Sequence, residues 1–141
     1  MHFDLVDRVL EHSGQRLVSV KQVSAAEEYL QDHFAGFPVL PGVLMLEAMV
    51  QAGRRLLELS DTPGASRLVL GGVRALKYGR FVRPGEVLRV EVVLGKSPDG
   101  WGGAYEFKGE GVVLTSGQPE PTDGPPTAVS GRFTLRPMAV G

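Results

Sequence analysis

The chain has no cysteine at any of its 141 positions. That absence excludes a disulfide framework, a thiol nucleophile and every cysteine-based metal site, and it fits a reducing, cytoplasmic setting. An excess of charge of either sign is also missing. Fifteen Lys and Arg against 16 Asp and Glu leave a formal net charge of -1, so no global field draws the chain to nucleic acid. No apolar run is long enough to span a bilayer, so no membrane segment is expected. The opening residues MHFDLVDRVLEH carry acids where a secretory leader needs a basic start and an apolar run. HExxH, Cys-cluster, Walker and GxGxxG motifs are lacking as well, so neither a metal nor a redox or nucleotide cofactor is implied. What remains is an ordinary globular composition, 43% hydrophobic and 22% charged, expected to fold as one domain over residues 1–141.

Along the chain, Phe3, Val6, Val9 and Leu10 fall at helical spacing among Asp4, Asp7, Arg8 and Glu11, which predicts a short amphipathic helix over residues 2–12, carrying His2 and His12 and ended by Ser13-Gly14. Leu17, Ser19 and Lys21 alternate with Val18, Val20 and Gln22 as in a strand with one buried face. Ser24 and Glu27 resemble a capping box for a helical turn over 25–31. A loop with Gly36, Pro38, Pro41 and Gly42 follows, stiffened by its prolines. From Val43 to Leu57 the pattern is apolar nearly all round, with Arg54, Arg55 and Glu58 marking a wet face; it predicts a mostly buried helix ending between Ser60 and Gly64. Strand texture then runs over 67–78, 87–94, 104–114 and 129–135, punctuated at Arg83-Pro84-Gly85, at 97–100 and at 116–127. The last of these, rich in Pro and Gly, reads as a flexible hairpin tip. One buried helix and a run of antiparallel strands make an α+β domain with the helix on one sheet face.

The chemistry concentrates in residues 32–51. Glu47 lies four residues after Val43 and four before Gln51, so it shares a helix face with apolar groups and one amide. Burial disfavours a charged carboxylate, which lets such a group hold a proton and act as a general acid. His33, in the loop, has the side chain that is readily neutral near pH 7 and able to accept a proton. Gly42 stands where the helix begins, and the first amides of a helix lack internal partners and carry the positive end of its dipole. A base, an acid and an oxyanion donor are what elimination beside a carbonyl requires. Each residue also has an ordinary reading. A loop histidine can be a surface group, a half-buried glutamate can pair with an arginine, and a Gly-Pro run can be only a turn. Spacing alone does not bring His33 to Glu47.

The run HFAGFPVLPGVLMLEAMVQ closely resembles the active-site signature of FabZ-type (3R)-hydroxyacyl-[acyl-carrier-protein] dehydratases, and RFVRPGEVLRVEV resembles their Pro-Gly-acid turn and the strand after it. The resemblance spans about residues 16–136. It implies a hot-dog fold, in which a curved antiparallel sheet wraps a long central helix. It also implies a homodimer whose two sites each take histidine from one subunit and glutamate from the other, and in many members a trimer of such dimers. Carried over, His33 matches the catalytic base, Glu47 the acid and Gly42 the amide that binds the thioester carbonyl, while Gln51, Tyr78 and Phe37 match positions near the substrate tunnel. Glu rather than Asp at 47 favours simple dehydration over the FabA-type isomerisation. The implied partner is an acidic acyl-carrier protein, for which Lys77, Arg80, Arg83, Arg54 and Arg55 are candidate docking cations.

Three departures bear on substrate class more than on fold. Asp32 stands where the family usually has Gly, Ala35 where it usually has Pro, and the 116–127 hairpin is longer than typical. Asp32 beside His33 favours the protonated imidazole. They point toward a specialised lipid, polyketide or aryl-polyene branch as an alternative to primary fatty-acid synthesis. Two other functions fit the same fold. One is acyl-thioester hydrolysis, which has no need of an α-proton base at His33; the other is a non-catalytic partner or scaffold, against which His33, Glu47 and Gly42 together count.

Overall fold

The computed structural model describes residues 4–24, 39–99, 103–119 and 121–138. The expected turn over 25–31, and with it Asp32, His33, Ala35 and Phe37, lies outside them. The order is β1 (Arg8–His12), β2 (Arg16–Gln22), α1 (Gly42–Leu59), a 3-10 turn (Ala65–Arg67), β3 (Leu68–Tyr78), β4 (Glu86–Lys96), β5 (Tyr105–Thr115) and β6 (Thr127–Pro137). The strands form one sheet in the order β1-β2-β4-β5-β6-β3, with every neighbouring pair antiparallel. This is the α+β arrangement that the strand texture and the apolar helix predict.

The N-terminal helix is not formed. Residues 8–12 are strand, paired with β2 from Arg8↔Val20 to His12↔Leu17, and the register slips between Val9 and Glu11 so that Leu10 is the extra residue of a β-bulge. The bulge breaks the two-residue period and sets Val6, Val9 and Leu10 at spacings that imitate a helix. A helix of that length is marginal in water by itself, whereas the hairpin is closed by Ser13 N–H donating to the Arg16 carbonyl at 2.8 Å. On β2 both faces are covered. Leu17, Ser19 and Lys21 are buried on one side, and Val18 on the other is buried too, lining a depression with Leu10 and Val112.

The 18 residues of α1 span about 27 Å. They lay Met45, Ala48, Met49, Ala52 and Leu56 on the inner sheet face, where Leu88, Val90, Val92, Phe107 and Phe133 complete the core. Phe107 and Phe133 stack at 5.1 Å between ring centroids. Close approach is set by Gly53, where a Cβ would lie 3.1 Å from the Phe133 ring. At the far end, Arg54 Nε donates to the Leu68 carbonyl at 3.1 Å, so this cation ties helix to sheet rather than marking a wet face. The sheet covers only one side of the helix. Val43 remains 67% exposed, and Leu44 and Leu46 are only half-buried.

Candidate active site

The start of α1 is fixed from the sheet. Pro41 takes an extended conformation (φ -59°, ψ 142°) and no side chain caps the helix. The Pro41 carbonyl accepts from both Leu44 and Met45 N–H, at 3.0 and 3.2 Å. Helix geometry leaves the first amides, Gly42 among them, without intrahelical partners and at the positive end of the dipole. Gly42 also meets the ring of Tyr78: a Cβ there would lie 3.1 Å from both Cε1 and Cζ. Two of the residues singled out from the sequence, the oxyanion candidate and a tunnel candidate, are therefore in contact.

The segment leading into the helix hangs on the turn after β3. Leu40 N–H donates to the Val82 carbonyl at 2.8 Å, and Val82 sits beside Arg83 in the Pro-Gly turn that precedes Glu86. The Glu86 carboxylate, 6% exposed, organises this turn. Its Oε1 accepts from Arg83 N–H at 2.9 Å, and its Oε2 accepts from Arg80 Nη2 at 2.9 Å and Thr115 Oγ1 at 2.8 Å. Burial pushes the carboxyl pKa up, but the bonds from Arg83 N–H, the Thr115 hydroxyl and the Arg80 guanidinium outweigh it and hold the group below its ordinary 4.5. The backbone around Glu86 is pinned as well, with Gly85 N–H on the Val23 carbonyl at 2.7 Å and Val23 N–H on the Glu86 carbonyl at 3.0 Å. Glu86 is the acid of the Pro-Gly-acid turn in the sequence, and the structure adds the three donors that its carboxylate gathers.

Of the docking candidates, Arg80 is committed to Glu86, and Arg83 contributes its backbone N–H to the same carboxylate. Lys77 stands exposed on β3, opposite Ser130. Arg54 is held at the opposite end of the helix, on the Leu68 carbonyl.

Glu47 is half-buried on α1, a turn and a half beyond Gly42. Gln51, one turn further on, donates from Nε2 to Glu47 Oε1 at 3.3 Å, and its Oε1 accepts from Leu5 N–H at 2.7 Å. The amide placed beside a tunnel by resemblance is thus engaged with the carboxylate and with the N-terminal segment. The contact between Leu5 and Gln51 joins residues 46 apart, and no local pattern announces it. Among the described residues no cluster of three or more His, Asp or Glu is arranged to hold a metal ion. No helix among them is long and apolar enough to cross a membrane.

Comparison with known proteins bears on the family and the fold. The chain is 45% identical over 102 residues to the 3-hydroxyacyl-[acyl-carrier-protein] dehydratase FabZ of Oenococcus oeni, covering 72% of this chain and 73% of that protein. It is 44% identical over 122 residues to the FabZ of Moorella thermoacetica, covering 79% and 84%. Among solved structures, the dehydratase heterocomplex ApeI:P from Xenorhabdus doucetiae superposes with a TM-score of 0.65 at 15% identity, over 96% of this chain and 99% of that one. Mouse thioesterase superfamily member 2 superposes with a TM-score of 0.62 at 12% identity, over 92% and 80%. At such identities the structures speak to fold alone, and that fold is the hot-dog arrangement of one helix on an antiparallel sheet. A family model described as the FabA-like domain matches residues 1–113, and the chain belongs to that family.

Proposed function

We propose that the protein dehydrates (3R)-hydroxyacyl thioesters carried on acyl-carrier protein to trans-2-enoyl thioesters, a step of fatty-acid synthesis or a related lipid pathway. The observation that carries the reading is the pairing on one helix of an uncapped glycine start, covered by Tyr78, with a half-buried carboxylate at Glu47. FabZ relatives at 44–47% identity bear the name of this activity. In the proposed reaction His33 takes the proton from C2 of the acyl chain, and the charge that develops on the thioester oxygen is met by the Gly42 N–H and the helix dipole. Glu47 gives its proton to the C3 hydroxyl, the C3–O bond breaks, and water leaves with the C2=C3 double bond formed. Transfer of a proton from His33 back to Glu47 restores the starting state. No metal or cofactor takes part.

The same reading makes the protein a cytoplasmic homodimer with shared sites. β3 is an edge strand, and its inward face leaves Leu70, Val73 and Tyr78 exposed, as are Phe81, three residues after Tyr78, and Val43, next to the Gly42 that meets the Tyr78 ring. Exposed apolar edges of this kind invite pairing with a second copy. A dimer across β3 buries them and covers the open side of the helix. The experiment is hydration of an enoyl thioester by the purified protein, run alongside a measurement of its mass in solution. Turnover by a particle of twice the 15.1 kDa chain mass supports the reading. Thiol release without hydration replaces it with hydrolysis.

A further inference from the structure

We infer that Arg89 and the connection between β5 and β6 form a second binding site, on the sheet face turned away from α1, for a small carboxylate with an apolar body. Arg89 stands on β4, opposite Val20 of β2 and Val112 of β5. Its neighbours Leu88 and Val90 are buried in the core beneath the helix, so strand alternation turns Arg89 to the other face. There it borders a pocket of about 490 Å³ together with Arg80 and four prolines of the connection, Pro119, Pro121, Pro125 and Pro126. Small-molecule pockets run from about 300 to 1,000 Å³.

The arginine lacks a counter-charge. Arg89 is half-buried, and among the described residues nothing forms a hydrogen bond or ion pair with its guanidinium. Glu91, two residues along the same strand face, is taken by Arg16, whose Nη2 and Nε lie 2.6 and 2.7 Å from its Oε2. Arg80 is held by Glu86. A desolvated cation without a partner carries a cost that an incoming anion offsets. The anion has one side to enter from. Glu11, Glu91 and Glu110 line the depression on one flank of Arg89, whereas no carboxylate among the described residues lines the proline pocket.

The walls select the ligand. Proline has no N–H, so its rings cannot supply the converging backbone donors by which phosphates are commonly held. They supply rigid apolar surface, to which Leu114 adds. One unpaired guanidinium matches one carboxylate, which its fork can grip bidentately. The connection keeps its own shape: Gly124 N–H donates to the Pro121 carbonyl and Val113 N–H to the Pro126 carbonyl, both at 2.9 Å. The FabA-like match ends at residue 113, before the connection begins, and the site lies across the sheet from Glu47 on α1.

Titration of the purified, isotope-labelled protein with sodium octanoate, followed by amide NMR, tests this. Saturable shifts are expected at Leu114, Thr115 and Gln118, which border the pocket. Octanamide has the same body without the charge and should bind at least about tenfold more weakly, as should octanoate to Arg89→Gln. Inorganic phosphate at the same concentration should leave these amides unmoved. Octanamide as tight as octanoate, wild-type affinity in folded Arg89→Gln, or tighter binding of phosphate overturns the inference. So does the absence of saturable shifts, or shifts confined to α1, which mark an acyl tunnel instead. Should Arg89→Gln fail to fold, the comparison of octanoate with octanamide on the wild type decides alone.

Discussion

The ring of Tyr78 lies against the first residue of α1, so close that a Cβ on Gly42 would sit 3.1 Å from two of its ring atoms. The glycine is required by this approach and not by an unusual backbone angle. The contact places the end of β3 against the glycine whose amide is proposed to receive the thioester oxygen.

Gly42→Ala separates stability from activity. Alanine in a helix is favoured over glycine by about 0.5–1 kcal/mol, so the variant should unfold no more easily than the wild type. Its methyl displaces Tyr78, and enoyl-thioester turnover should fall about tenfold through loss of oxyanion geometry. In a Tyr78→Ala background the added methyl meets open space, and the penalty for Gly42→Ala should shrink. A double-mutant cycle on kcat/KM checks this, with a coupling energy expected in the range of about 0.5–3 kcal/mol.

Glu86 gives the fold a definite pH dependence. Its pKa is lower in the folded state than its ordinary 4.5, so its contribution to stability is complete above that value and is lost as pH falls through the folded value. Glu86→Gln should cost about 1–3 kcal/mol at pH 7, because the Arg80 guanidinium and the Arg83 N–H lose a charged acceptor. Urea unfolding of both proteins at pH 7 and again below pH 4 checks it: the gap between them should narrow at the lower pH.

Ala75 sits at φ 55°, within the stretch where the β3–β6 register slips between Arg74 and Lys77. An L residue in the left-handed region costs about 1–2 kcal/mol, and glycine's extra chain entropy returns part of it. Ala75→Gly should therefore raise stability by up to about 1 kcal/mol, measured as a higher midpoint in thermal or urea unfolding with activity unchanged.

Val73 faces the helix side of the edge strand yet stays exposed. Under the proposed dimer across β3 with shared sites, Val73→Glu should lower the particle mass seen by light scattering and abolish turnover in parallel, because each site would lose the histidine of the other chain. An active monomer would exclude shared sites.

Much of the architecture is legible in the sequence because its signals are local. Pro-Gly-acid and Ser-Pro-Asp-Gly turns bound the strands from β3 to β6, and the apolar run after Pro41 marks α1. The spacing of Glu47 and Gln51 announces their bond, since four residues make one helical turn. The losses are of another kind. Leu10 in the β1 bulge disguises a strand as a helix, and only pairing with β2 resolves it. Leu5 reaching Gln51, and Thr115 reaching Glu86, are contacts between distant segments that no window of sequence contains. An apolar pattern nearly all round predicts a mostly buried helix, but one sheet covers only one side of it, which is why Val43 is left exposed.

The central claim is that an acid at Glu47 and a base at His33 act together across two subunits, and mixing two inactive variants tests it most directly. His33→Ala and Glu47→Gln should each lower crotonyl-coenzyme A hydration by about 10²–10⁴-fold while folding normally. When the two are co-expressed or refolded together, half the dimers are mixed and each mixed dimer holds one intact site, so activity should return to about a quarter of the wild-type value. Full activity in either single variant, or no recovery in a mixture proven to contain mixed dimers, would contradict the account.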